Sequence, residues 1–214
     1  MGRALSNKNV VTAKFEAADF TGKWLASMGK PELRGAWFVF GGSGSGKTTF
    51  VLQLCKYLTQ FRRVAYNSLE QGLSLSFQRA WERVGMEEVG TQIIMLVKES
   101  LQDLSARLRK KQSPDVVVID SVQYLHELRW RDYIALKDSF PGKLFIFVSH
   151  EKNKQPDGGM AMKMRYDADI KMRVEGYKAF ITTRYAVPEL GEGGEDYVIW
   201  EEGANQYWNN EVND

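Results

Sequence analysis

The chain has 214 residues, 43% apolar and 26% charged, which is ordinary for a soluble globular protein and long enough for one α/β domain with a substantial core. Net charge is +2, from 29 basic and 27 acidic side chains, too balanced to announce a nucleic-acid binder without a local basic surface. No apolar run nears the roughly 20 residues of a membrane span and no secretory signal opens the chain, so the cytoplasm is the expected location; one cysteine, Cys55, and two histidines, His126 and His150, argue against disulfide, redox or zinc chemistry.

In chain order, the first thirty residues are mixed and polar, with a short helix expected over Ala17–Met28. Pro31 breaks the chain, and Trp37-Phe38-Val39-Phe40 reads as a buried strand followed by a glycine-rich loop. From Thr48 to Phe61, apolar residues recur at helical spacing. Strands are then expected at Val64–Asn67, Ile93–Val97, Val116–Ile119 and Leu144–Ser149, with helices at Leu75–Val84, Leu101–Lys111 and Arg131–Ser139 between them. Strands alternating with helices imply a mostly parallel sheet covered on both faces. The last third reads differently. Ile170–Glu175, Lys178–Tyr185 and Tyr197–Glu201 look like strands without intervening helices, the first two joined at Gly176-Tyr177, and are expected to extend the sheet in antiparallel fashion. Gly191-Glu192-Gly193-Gly194-Glu195 reads as a mobile hairpin tip.

Three stretches carry chemistry. Gly41-Gly42-Ser43-Gly44-Ser45-Gly46-Lys47-Thr48, with Thr49 beside it, matches G-x-x-x-x-G-K-[ST] in full. Its glycines let the backbone turn N–H groups onto a phosphate chain, and the following helix presents its positive end to the same anion. Lys47 is placed to bridge the β- and γ-phosphates of ATP, and the Thr48 hydroxyl to ligate Mg²⁺. Asp120, closing Val116-Val117-Val118-Ile119, puts a carboxylate at the end of a buried strand, where it can orient the Mg²⁺ shell or cap the turn at Ser121. Hydrolysis further needs a group to activate water, and Glu70, just past the second strand, is the candidate; read alone, it is equally a solvated loop residue.

Together these residues resemble the RecA-like ATPase core, especially its RadA and DnaB branch, from about Gly22 to Tyr185. The order is the phosphate loop, Ser68-Leu69-Glu70, Val117–Ser121, Phe147-Val148-Ser149-His150 and Thr182-Thr183-Arg184-Tyr185. The resemblance implies a three-layer α/β/α domain over residues 31–214 behind an N-terminal extension over residues 1–30. It makes Glu70 the general base and His150 the sensor of the γ-phosphate. It makes Arg184 a finger reaching a neighbour's nucleotide, which implies a homo-oligomeric ring or filament, although Thr182 stands where the family has lysine. It also implies single-stranded DNA held by two loops. The first is expected within Tyr124–Tyr133, with His126, Arg129, Trp130 and Arg131; the second spans Glu151–Asp167, with Lys152, Lys154, Lys163 and Arg165. The zinc-binding cysteines and protease-like domain of full-length RadA and the primase-docking domain of DnaB are not expected, so the resemblance describes a stripped core acting in recombination, repair or replication. Two other readings stand beside a DNA-dependent ATPase: a nucleotide-switched module that binds a protein partner, and a P-loop kinase for a small molecule, which Glu70 and the trailing strands fit poorly.

Overall fold

The central strands carry apolar side chains on both faces, and the computed structural model, which describes residues 4–125 and 128–211, shows what covers each face. In β1 (Gly35–Gly41), Trp37 and Val39 point to one side and Phe38 and Phe40 to the other, as the two-residue period of a strand requires. The first side packs against α2 (Gly22–Met28), α3 (Lys47–Leu58) and α4 (Leu75–Val84) through Trp24, Phe50, Leu54 and Phe77. The second packs against α5 (Leu101–Leu108), α6 (Trp130–Ser139) and α7 (Gly159–Asp167) through Leu104, Leu108, Tyr133 and Met164. The result is the expected three-layer α/β/α architecture.

The other strands are β2 (Val64–Ser68), β3 (Ile93–Val97), β4 (Val116–Asp120), β5 (Leu144–Lys152), β6 (Gln155–Pro156), β7 (Ile170–Glu175), β8 (Lys178–Thr183) and β9 (Tyr197–Val198). Their order in the sheet is β3-β2-β4-β5-β1-β7-β8-β9, with β6 paired to β5. All pairings from β3 across to β7 are parallel. Register sets Gly41 beside His150 and Ser68 beside Asp120, so the carboxyl ends of β1, β5, β4 and β2 stand in a row. Local signals agree with the elements: Ser74 caps α4 by accepting from the Phe77 N–H at 3.2 Å, and Gly85, in the left-handed region at φ +69°, ends it.

The last third departs from the sequence expectation at several points. β7 pairs parallel with β1, and only β8 and β9 continue antiparallel. The strand expected over Tyr197–Glu201 stops at Val198, and a helix, α8 (Glu201–Glu211), follows. Its apolar residues are few, but Trp208 donates its indole N–H to the Gly176 carbonyl at 3.1 Å and meets Phe180 edge-on. The loop expected over Glu151–Asp167 is instead the tight β5–β6 hairpin followed by α7, whose Ala161 and Met164 are buried. The Gly191–Glu195 segment is no free tip: the N–H groups of Gly193, Gly194 and Glu195 donate to the carbonyls of Leu25, Ser27 and Ala26, groups that the end of α2 leaves without helical partners. The helix expected from Ala17 begins at Gly22, because Ala17 pairs as a β-bridge with Glu32. A further short helix, α1 (Asn7–Val11), buries no residue. Among the described residues no helix is long and apolar enough to cross a membrane.

Candidate functional site

The glycine-rich loop leaves β1 at a point where no side chain fits. A Cβ on Gly41 would stand 2.2 Å from the carbonyl oxygen of Val174, its partner in β7. Gly46 sits at φ +99°, which glycine adopts without penalty, and α3 starts directly after it with no side-chain cap. The amide groups at that helix start therefore remain open to an anion. The Lys47 ammonium folds over the loop and donates to the carbonyls of Gly41 at 2.8 Å and Gly42 at 2.9 Å. Burial lowers the Lys47 pKa, and the carboxylates of Asp120, Glu70 and Glu151 oppose that shift.

The loop forms one wall of a cleft of about 650 Å³, also lined by Thr48, Thr49, Glu70, Asp120, His150 and Glu151. A larger cavity of 840 Å³ lies between α5 and α6, but it takes nothing from the phosphate loop or from Glu70, Asp120 and His150, so the chemistry belongs to the smaller cleft. At its floor Asp120 is buried, and its Oδ2 accepts from the Tyr66 hydroxyl of β2. Burial raises the Asp120 pKa; the Tyr66 hydrogen bond and the charges of Lys47 and His150 pull it down, while Glu70 adds to the rise. Burial, followed by the Asp120 charge, pushes the Tyr66 phenol well above its ordinary value.

The turn after β2 is fastened to the end of β4: the N–H groups of Leu69 and Glu70 both donate to the Asp120 carbonyl, at 2.6 and 3.2 Å. This brings the Glu70 side chain to Ser121, which follows a cis Asp120–Ser121 peptide and whose hydroxyl donates to Oε2 at 3.2 Å. The His150 imidazole meets the same oxygen at 2.8 Å through Nε2, so the tautomer protonated there is the one that donates. Lys47, Thr48, Glu70, Asp120 and His150, drawn from four separate segments, thus share one cleft.

Arg184 stands elsewhere. Its guanidinium pairs with Asp169 at 2.9 Å, and Asp169 bonds to the Ala36 carbonyl near the start of β1. That is roughly 17 Å along the strand from the phosphate loop, toward the opposite end of the sheet. In the first segment expected to meet DNA, Arg129, Trp130 and Arg131 are exposed, whereas Tyr133 is fully buried and stacks under Trp130; His126 lies outside the described residues. In the second, Lys152 and Lys154 are exposed on the hairpin and Lys163 on α7, while Arg165 lies over the Phe40 ring and donates to Gln155. The Tyr133 hydroxyl reaches Asp167 at 2.6 Å and Lys137 pairs with the same carboxylate, so the two segments are tied together at their bases.

Sequence reasoning missed Tyr66, Ser121 as a partner of Glu70, and Gln123, which binds the backbone of His150. Tyr66 reads as one more apolar member of a buried strand, and only the register of β2 against β4 reveals its partner. Ser121 carried a signal, being adjacent to Asp120.

No family model and no curated protein matches the chain. Solved structures do. The flagellar accessory protein FlaH from Methanocaldococcus jannaschii superposes with a TM-score of 0.59 at 15% identity, over 86% of this chain and 93% of that one. The ATPase domain of a DnaB-like helicase gives 0.57 at 17% identity, over 82% of this chain and 84% of that one. At these identities the likeness concerns the fold, and the fold is that of the RecA-like P-loop ATPases.

Proposed function

We propose that the chain is an ATPase that binds ATP with Mg²⁺ in the cleft beneath Gly41–Thr49 and hydrolyses its terminal phosphate. The observation that carries this reading is the convergence of Lys47, Thr48, Asp120 and Glu70 on one cleft at the carboxyl ends of parallel strands. The Thr48 hydroxyl and the Asp120 carboxylate are the hard oxygen donors that Mg²⁺ takes. With Oδ2 engaged by Tyr66, Oδ1 of Asp120 is the oxygen left for the metal's shell, and the ion when bound neutralises charge on the phosphates. Lys47 leaves the Gly41 and Gly42 carbonyls for the β- and γ-phosphates, a stronger, charge-assisted pairing. Glu70 accepts the proton of the attacking water, and His150, on the same carboxylate oxygen, senses the γ-phosphate. The ATPase activity has its support outside the cleft in the fold shared with the helicase domain, which is named for that activity.

Single-stranded DNA is the proposed activator. It would lie along the exposed basic and aromatic side chains Arg129, Trp130, Lys152, Lys154, Lys163 and Tyr166. A ring or filament would bring Arg184 of one copy to the nucleotide of the next. One observation favours a second reading, a nucleotide-switched module with slow turnover: Oε2 of Glu70 is held by both Ser121 and His150, which competes with its use as a base.

Steady-state ATP hydrolysis with Mg²⁺ at low salt, with and without single-stranded DNA, tests both. Stimulation of severalfold that fades as salt rises supports the DNA-dependent ATPase. Slow turnover indifferent to DNA supports the switch, and failure to bind ATP at all rejects the site.

A further inference from the structure

Just past Asp120 lies a single turn, Val122–Tyr124, and its central side chain spans to another element. The Gln123 Oε1 accepts from the backbone N–H of His150 at 3.1 Å, and its Nε2 donates to the Ser149 hydroxyl at 2.8 Å and to the Asp157 carbonyl at 2.9 Å. The amide orientation is fixed by these partners, because the reverse would set NH₂ against an N–H and oxygen against a carbonyl. Asp157 in turn donates its N–H to the His150 carbonyl at 2.9 Å. One glutamine therefore fastens both strands at the base of the β5–β6 hairpin to the turn that follows Asp120.

Beyond that base the hairpin has only two pairs, Glu151–Pro156 and Lys152–Gln155. It reverses through Asn153 and Lys154, both left-handed at φ +52° and +60°, and holds Lys152 and Lys154 out to solvent. A ribbon this short is marginal on its own, so its order depends on what holds its base. His150 belongs to both systems: its ring touches Glu70 in the cleft and its backbone is held by Gln123.

We infer that Gln123 is a positioning residue that couples the nucleotide state of the cleft, read by the Glu70–His150 contact, to the order of the β5–β6 hairpin. The inference rests on the reading that the cleft binds ATP. A shift of the His150 ring, when a γ-phosphate draws on Glu70 or His150, reaches the hairpin as movement of the His150 and Asp157 backbone only while Gln123 holds the two together. Two sites and one element with two arrangements are the physical requirements of such coupling, and the hydrogen-bonded path between them is continuous.

The test is amide hydrogen exchange over residues 149–158 of the full chain, with and without a non-hydrolysable ATP analogue and Mg²⁺, alongside fluorescence titration of the analogue. Gln123→Ala removes every contact. Gln123→Glu keeps the size and the acceptor for His150 N–H but turns an oxygen on the Asp157 carbonyl, so it serves if the alanine variant folds poorly. In the unsubstituted protein the analogue should slow exchange in the hairpin about fivefold or more. Both variants should bind the analogue within about threefold of the unsubstituted affinity and lose that response. An unresponsive hairpin in a protein that binds the analogue overturns the coupling alone. So does a variant that keeps the full response, or one that loses binding as well, since Gln123 would then be scaffold for the cleft. An unsubstituted protein that fails to bind the analogue overturns the nucleotide reading itself, and the coupling with it.

Discussion

The carboxylate of Glu70 and the imidazole of His150 meet at 2.8 Å, although 80 residues separate them in the chain. Each arrives at the carboxyl end of its own parallel strand, and β4 lies between those strands and supplies Ser121 to the same oxygen. A base and a sensor that share one oxygen cannot be perturbed independently. Whatever engages His150 also changes how readily Glu70 takes a proton.

Replacing Glu70 by Gln keeps the size and the hydrogen-bonding reach of the side chain but removes its capacity to accept a proton. Turnover should fall by about a hundredfold or more, on the scale that loss of a general base shows. ATP binding, followed by titration, should persist. An unchanged hydrolysis rate would assign the base to another residue.

The first two glycines of the phosphate loop should behave differently. Gly41→Ala places a Cβ 2.2 Å from the Val174 carbonyl, so β7 or the loop must shift, at about 1–3 kcal/mol for overpacking. Gly42→Ala meets nothing within 4 Å. Thermal melts without nucleotide should therefore show Gly41→Ala destabilised by several degrees and Gly42→Ala close to the unsubstituted protein. Equal melting temperatures would mean that β1 and β7 are not packed as closely as described.

What could be read from the sequence follows from what each signal depends on. The phosphate loop was legible because its glycines and Lys47 act through local backbone geometry. The buried strands were legible because burial on both faces makes continuous apolar runs such as Val116–Ile119. Helix α7 was not, since Gly158, Gly159 and Lys163 read as loop while Ala161 and Met164 take their meaning from the sheet face they cover. Helix α8 was lost for a similar reason: Trp208 is explained by the turn at Gly176, which no local pattern announces. Within the site, Glu70 and Asp120 stand at strand ends, where position is informative. Tyr66 and Gln123 act across strands, and only register and turn geometry make them visible.

The tie between α6 and α7 should titrate. Burial alone would raise the Asp167 pKa, but hydrogen bonds from Lys137 and Tyr133, with the charges of Lys137 and Arg184, hold it below the ordinary carboxylate value. A folded pKa below the unfolded one means stability that is present above the unfolded value, about 3.9, and lost as pH falls through the depressed folded value. Asp167→Asn should cost about 1–2 kcal/mol at pH 7, toward the lower end because the carboxylate is partly exposed. Urea unfolding at pH 7 and pH 3 checks this: the difference between variant and unsubstituted protein should narrow on acidification. A gap that stays constant would deny Asp167 its charge-dependent role.

Arg184 offers the sharpest distinction between acting within the chain and acting across copies. It is paired with Asp169 and lies roughly 17 Å along the sheet from the phosphate loop, so within its own chain it has no route to the γ-phosphate without unfolding β8. If it acts on a neighbour's nucleotide, Arg184→Ala should reduce turnover by about a thousandfold or more, the scale of an arginine finger. Glu70→Gln is inactive for a different reason, since it lacks the base but keeps the finger. A mixture of the two variants then contains interfaces with an intact Glu70 on one side and an intact Arg184 on the other, and those interfaces should hydrolyse ATP. Activity measured across mixing ratios should rise to a maximum near equal proportions. A flat profile, with activity no greater than the sum of the two variants alone, would leave Arg184 as a surface partner of Asp169.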